Sequence, residues 1–395
     1  MELAVAKVSG ENLALQRMAR DFAEKEIRPI SAERDLIPDP RETFSWDIVR
    51  KGSALGLRTL AVPEKFGGPG VDLMGQVLVI LELARADGAI AKTFSQNWKF
   101  TPFITELATD EQRERYLTPF LNDDTYLLAS ANTEPGAGSD NRMRPKDPAT
   151  GLKLRAVRDG DGWILNGMKH FIANGGVAKL YVVRGRTDPS APVARGVTNF
   201  LVPAGTPGFR IGRTHDKVGW RFYQNAELIF ENCRVPDADR VGEVNRAYAG
   251  GESLTGGFND VELSANILGI AQAAFEHALE HARNRVQGGR PIIEHQAISL
   301  KLADMHMRLE AARSYLFRVV EACLEEGVGM DSASKQLMKV FATEAGQKVT
   351  RDAVEIFGGM GVMREAPVEK LMRDASIFTH LAADSVMMLK AAEKL

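Results

Sequence analysis

The chain of 395 residues carries 50 Lys+Arg against 52 Asp+Glu, a formal charge of −2, with 44% hydrophobic and 26% charged residues. That balance fits a globular chain of two or three domains and excludes both disorder and the basic footprint of a nucleic-acid binder. With only two cysteines, Cys233 and Cys323, neither a disulfide framework nor a multi-cysteine zinc module is available, which suits a reducing cytoplasm. Glu2, Lys7, Glu11, Arg17 and Arg20 interrupt any signal-peptide core, and the apolar-rich run 263–275 is too short to span a bilayer. A cytoplasmic location without membrane contact is expected.

From about residue 12 to 117 the apolar positions recur at helical spacing, as in Leu13, Met18 and Phe22 and again in Val77, Ile80 and Leu81. Prolines 29, 38, 40 and 63 and glycines 67, 68 and 70 punctuate this stretch. Between about 127 and 241 the period changes to that of strands. Two apolar segments flank Asp159-Gly160-Asp161-Gly162 and read as a hairpin, and 180–183, 200–202 and 228–230 read as further strands of a small barrel or sandwich. From about residue 253 the helical period returns, broken at Gly288-Gly289, Gly327-Val328-Gly329 and Gly358-Gly359 into four or five long helices of a bundle. The predicted class is mainly α with a central β domain, divided 1–125, 126–245 and 246–395.

The predicted strand 127–131 runs into Thr133-Glu134-Pro135-Gly136-Ala137-Gly138-Ser139-Asp140, whose glycines and hydroxyls suit an anion or the polar edge of a heterocycle. Downstream lie Asn166-Gly167-Met168-Lys169-His170-Phe171-Ile172-Ala173-Asn174-Gly175, Glu294-His295-Gln296-Ala297-Ile298-Ser299, and Glu355-Ile356-Phe357-Gly358-Gly359-Met360-Gly361. Together with Pro367-Val368-Glu369-Lys370-Leu371-Met372-Arg373-Asp374-Ala375, these segments resemble the acyl-CoA dehydrogenase family of flavoproteins over essentially the whole chain.

The resemblance implies a helical N-terminal domain, a β-barrel middle domain and a C-terminal four-helix bundle that together bind FAD. It implies that Ser130, Asn132 and Thr133 line the isoalloxazine, that Gly138 and Ser139 belong to the same loop, and that Phe171 replaces the usual Trp packed on the flavin. Arg285 and Gln287 match positions that meet the diphosphate, a role for which a guanidinium is suited. Gln296, Glu355, Gly358 and Gly359 match contacts supplied by a neighbouring subunit, so a homotetramer built as a dimer of dimers is implied.

Departures from the family pattern concern the chemistry itself. Ala173 stands where a Thr or Ser hydroxyl usually bonds flavin N5. Ala382, Ala383 and Asp384 replace the family's Glu-Gly-Thr, so the usual catalytic base is absent. The alternative base position on the first bundle helix corresponds to Asn259, followed by Asp260. Substitute carboxylates are Asp384 and Asp260, with Glu262 nearby, and the backbone N–H of Ala382 remains able to polarise a thioester carbonyl.

The expected activity is FAD-dependent α,β-dehydrogenation of an acyl-CoA thioester in lipid or carboxylic acid catabolism, with electrons passed to an electron-transfer flavoprotein. Two alternatives accompany it: a desulfinase- or decarboxylase-like elimination without net redox change, and a degenerate partner subunit of a heteromeric enzyme. No metal site is expected, since His277-Ala278-Leu279-Glu280-His281 reads as an ordinary surface helix lacking a third ligand. Phe94, Trp98 and Phe100 suggest a bulky pocket wall, and Met305, Met307, Met387 and Met388 read as core filler.

Overall fold

The computed structural model describes residues 8–143, 146–248, 251–326 and 332–393. Helices come first: α1 (Gly10–Phe22), α2 (Arg28–Leu36), α3 (Trp46–Ala54), α4 (Leu73–Ala86) and α5 (Gly88–Phe100), then short turns α6 (Asp110–Gln112) and α7 (Thr118–Asn122). Apolar residues cover α4 on nearly every side, and it lies inside the core, started by Asp72, whose carboxylate accepts from Gly75 N–H at 2.7 Å. Asp87 caps α5 in the same way, accepting from Ala89 N–H at 2.8 Å.

Eight strands form one sheet: β1 (Leu128–Ala131), β2 (Arg155–Asp159), β3 (Gly162–Ala173), β4 (Leu180–Arg186), β5 (Val197–Pro203), β6 (Phe209–Thr214), β7 (Asn225–Pro236) and β8 (Arg240–Val241), with helix α8 (Asp140–Met143) after β1. Their order is β6-β7-β3-β2-β4-β5-β8, and β1 adds in parallel to β4. The predicted hairpin is β2–β3, closed where Asp159 pairs with Gly162 and turned at Gly160, whose φ of +56° suits glycine. Strand alternation splits the apolar residues between two cores. Tyr181, Val183, Phe200 and Val202 join Leu165, Leu228 and Phe230 on one side. Leu180, Val182 and Leu201 pack on the other side against Phe103, Ile104, Tyr116 and Phe120 of the N-terminal helices.

The C-terminal part holds α9 (Gly251–Asn284), α10 (Gln296–Glu326), α11 (Ser332–Phe357), α12 (Pro367–Ser376) and α13 (Asp384–Ala392), with a small hairpin, β9 (Val286–Gln287) and β10 (Arg290–Pro291), between α9 and α10. The expectation of four or five long helices is met by three, of 34, 31 and 26 residues, followed by two short ones of 10 and 9. Gly288-Gly289 turns the hairpin and Gly358-Gly359 opens a 3-10 turn, whereas the predicted break at 327–329 lies outside the described residues. Met305 and Met387 are core filler as expected, but Met307 and Met388 are exposed.

One buried ionic cluster joins the three parts. Lys370 of α12 donates to Asp87 at 2.9 Å and to Asp374 at 2.7 Å. Asp374 also accepts from Trp220 N–H of the β6–β7 connection at 2.6 Å, and Asp87 accepts from Ser31 of α2. Burial pulls the Lys370 ammonium down, but the carboxylates of Asp374 and Asp87 outweigh it, and the net shift is upward. Removing the cation strands two buried carboxylates. Lys370→Met is therefore expected to cost about 3–5 kcal/mol, read from chemical denaturation midpoints, with partial recovery when Asp374→Asn is added.

Candidate functional site

The loop after β1 is fastened from below. Glu134, buried, accepts from the fully buried Lys169 of β3 at 2.8 Å and from the backbone N–H groups of Lys153 and Leu154 at 2.6 and 2.9 Å. Lys169 also donates to Asn132 O at 3.2 Å, and His170 N–H to Thr133 O at 2.8 Å. Asp140 accepts from Gly138 N–H at 2.7 Å, while Gly136 and Gly138 have open space where a Cβ would stand. The loop thus keeps its upper surface free and its lower surface fixed. Burial pushes the Lys169 ammonium down to about 8, against the pull of Glu134.

Beside this loop β3 carries a bulge. Lys169 pairs with Leu228 and Ile172 with Ala226, so one more residue lies on β3 than on β7. Phe171 takes φ +57° there and is 60% exposed, an unusual state for a large aromatic. Beyond the bulge, Ala173 packs against the helical core, and Asn174 donates to Thr93 O at 3.3 Å and Leu128 O at 3.2 Å. Asn174 Oδ1 is buried without a hydrogen-bond partner. An exposed ring on a rigid bulge, a half-buried polar run at Ser130, Asn132 and Thr133, and an orphaned acceptor fit an isoalloxazine with its polar edge.

A second group gathers at one end of the bundle. Arg285 and Gln287 lie exposed on the β9–β10 hairpin, just after His281, which stacks on Phe357 with ring centroids 4.1 Å apart. Glu355 accepts from Lys301, linking α11 to the start of α10, where Gln296 is exposed. Gly358, at φ +60°, and Gly359 have open space around them. Leu300, Met360, Val362 and Met363 are exposed nearby.

Neither substitute carboxylate is a bare acid. Asp384 is buried and accepts from the fully buried Lys339, which donates also to Phe378 O at 2.6 Å and Leu381 O at 2.8 Å. Burial pushes the Asp384 carboxyl up, with Lys339 opposing. Ala382 and Ala383 between them have φ of +67° and +58°, left-handed values costing about 1–2 kcal/mol per residue. Asp260, buried on α9, accepts from Asn259 Nδ2 at 3.1 Å, and Asn259 in turn accepts from Lys99. Glu262 is fully buried and takes Lys92 and Ser95 on one oxygen. Phe94, Trp98 and Phe100 are buried core residues, with Trp98 Nε1 donating to Leu57 O at 2.6 Å.

His277 and His281 belong to no three-ligand group among the described residues. The group that does form is His170, His215 and Glu227, which sequence reading missed because its members are scattered over three strands or their ends. Burial, with help from His170, lowers His215 below the usual imidazole value.

A helical layer, a sheet with a flavin-fitting loop and a helical bundle, in that order, define a flavoprotein oxidoreductase. The residues match acyl-CoA dehydrogenase models in sequence: N-terminal domain over 9–124, middle domain over 129–233 and C-terminal domain over 259–393. The chain belongs to the acyl-CoA dehydrogenase family and is an FAD-dependent enzyme acting on acyl-CoA. It is 37% identical to an acyl-CoA dehydrogenase of Bacillus subtilis over 94% of this chain and 93% of that protein. Butyryl-CoA dehydrogenase of Megasphaera elsdenii superposes with a TM-score of 0.89 at 32% identity, covering 100% of this chain and 99% of that one. A chain from the electron transferring flavoprotein structure of Acidaminococcus fermentans gives 0.89 at 33% identity, covering 100% and 99%. These relatives favour dehydrogenation over the two alternatives. No described helix is long and apolar enough to cross a membrane.

Lys169 supplies a pH test. Its folded value of about 8 lies below the ordinary lysine value, so the unfolded chain holds the proton more tightly between those two values. The contribution of Lys169 to stability accordingly rises with pH from about 8 toward about 10.4 and is flat below that window. NMR of ¹³C-methylated lysines is expected to show a titration near 8 that Lys169→Arg removes; the separate low titration of Lys217, which burial pushes to about 7, serves as the internal control.

Proposed function

We propose that this chain is a cytoplasmic homotetramer, a dimer of dimers, which dehydrogenates an acyl-CoA between Cα and Cβ and hands the electrons to an electron-transfer flavoprotein. Its units are 1–125, 126–245 and 246–395. The observation that carries the reading is the bulge at Phe171 beside the Glu134–Lys169 anchor, because it offers a rigid aromatic face next to a free polar loop. Ser130, Asn132, Thr133, Gly138, Ser139, Phe171 and Ala173 hold the flavin ring. Arg285 and Gln287 hold the diphosphate, completed by Gln296, Glu355, Gly358 and Gly359 of a neighbouring copy. The exposed apolar side chains at that end of the bundle support such a subunit contact. The likeness to a chain of the Acidaminococcus fermentans structure supports the electron acceptor.

Bound FAD supplies the acceptor for the hydride leaving Cβ. The chain itself must take the α-proton and hold the thioester. Asp384 is committed to Lys339 and to the left-handed turn, which favours a structural role. Asp260, buried on α9 and accepting from the Asn259 amide, is the candidate proton acceptor. The Ala382 N–H polarises the thioester carbonyl.

Anaerobic mixing of the FAD-loaded protein with a panel of acyl-CoA thioesters tests the reaction. Flavin bleaching by the parent that Asp260→Asn slows about 10²-fold or more supports the base; bleaching unaffected by Asp260→Asn assigns it elsewhere. A parent that does not bleach while Ala382→Glu does would show a base position left empty. No bleaching by either, with flavin fully bound, overturns the redox reading. Separately, Arg285→Ala is expected to weaken FAD retention about tenfold or more, measured as free flavin after dialysis.

A further inference from the structure

We infer that His170, His215 and Glu227 form a binding site for a divalent transition cation of the zinc type. The three residues come from β3, from the position just after β6, and from β7, and each places a ligand-capable atom within 4.8 Å of the other two. His170 Nδ1 stands 3.5 Å from Glu227 Oε1, beyond a hydrogen bond and close to the separation of about 3.3 Å that two ligands of a tetrahedral zinc ion adopt. His170 Nδ1 and His215 Nε2 are both buried and have no hydrogen-bond partner among the described residues. The two imidazole rings lie 4.5 Å apart, centroid to centroid. An orphaned ring nitrogen is costly, and the two in this His–His–Glu group are most simply satisfied by a shared cation.

The carboxylate is already oriented for this role. Glu227 Oε2 accepts from Arg213 N–H at 3.2 Å, leaving Oε1 turned toward His170. Such an outer hydrogen bond fixes the direction of a metal-ligating carboxylate. Two imidazoles and one carboxylate leave a coordination position for water. The site also touches the bulge, since Phe171 packs on His170 at 4.0 Å and on His215 at 4.7 Å between ring centroids. A bound cation would tie β3, β6 and β7 together around the exposed ring.

The test uses tag-free, chelator-treated, FAD-loaded protein titrated with Zn²⁺ against a chromophoric competitor, and with Co²⁺ while d–d absorption is followed. The expected result is one ion per chain, a Co²⁺ spectrum of low-coordinate imidazole type, and an affinity weakened about 10²-fold by His215→Ala and about tenfold or more by Glu227→Gln. Glu227→Gln keeps the size of the side chain and so guards against a misfolded alanine variant. Zinc binding no tighter than in the double variant His170→Ala/His215→Ala, or a parent protein without the Co²⁺ spectrum, overturns the site. Its failure would leave the bleaching experiments untouched, because the flavin reading does not depend on it.

Discussion

Lys370 is the point on which the architecture turns. A single ammonium is shared by Asp87, which starts α5, and Asp374, which holds the backbone of the β6–β7 connection. The N-terminal helices, the sheet and the bundle thus meet at one buried charge. Desolvating three ionised groups is costly, so such a cluster adds little net stability over an apolar replacement. What it does set is relative placement, since a shift of any one part would leave an unpaired buried charge. Gly219 sits in the same contact, with its Cα so close to Arg373 O and Asp374 that a Cβ there would fall within 2.5–2.8 Å of them. The sheet approaches α12 as closely as a bare backbone allows.

This fixed placement also positions the chemistry. Asn174, just after β3, reaches α5 and β1 through its amide, so the end of the sheet that carries the bulge is referenced to the helix that Asp87 caps. In the bundle a second buried lysine, Lys339, gathers Asp384 and the carbonyls of Phe378 and Leu381 around the turn that contains Ala382. Buried lysines recur wherever a loop near the proposed reaction must hold still: Lys169 under the loop after β1, Lys339 under the turn before α13. The loops do not carry the rigidity themselves; it is imposed from the interior.

Much of this was legible in the sequence. The β2–β3 hairpin, strands β4, β5 and β7, the order of helices and strands and the glycine-rich loop all follow from local period and turn chemistry, which act over a few residues. Asp384 is harder to read: two residues past a missing Glu it suggests a substitute acid, yet it is buried on Lys339, 45 positions earlier in the chain. The same limit hides His170, His215 and Glu227, each unremarkable alone and joined only by strand pairing. The bulge is equally silent, since one extra residue in a run of alternating side chains leaves no compositional trace. The aromatic run Phe94, Trp98 and Phe100 is ambiguous in the sequence, because core packing and a substrate wall use the same side chains.

The bulge has a structural corollary. Because side chains alternate along a strand, the extra residue between Lys169 and Ile172 interrupts the alternation there. A change of identity at position 171 alters the exposed ring and its packing on His170 and His215, at a left-handed backbone position. Deleting one residue from this interval would restore regular alternation, with Lys169 and Ile172 still on one face opposite Leu228 and Ala226, but would remove the left-handed step at which Phe171 stands exposed. A change that removes either the ring or the extra residue that displaces it would therefore abolish the aromatic face.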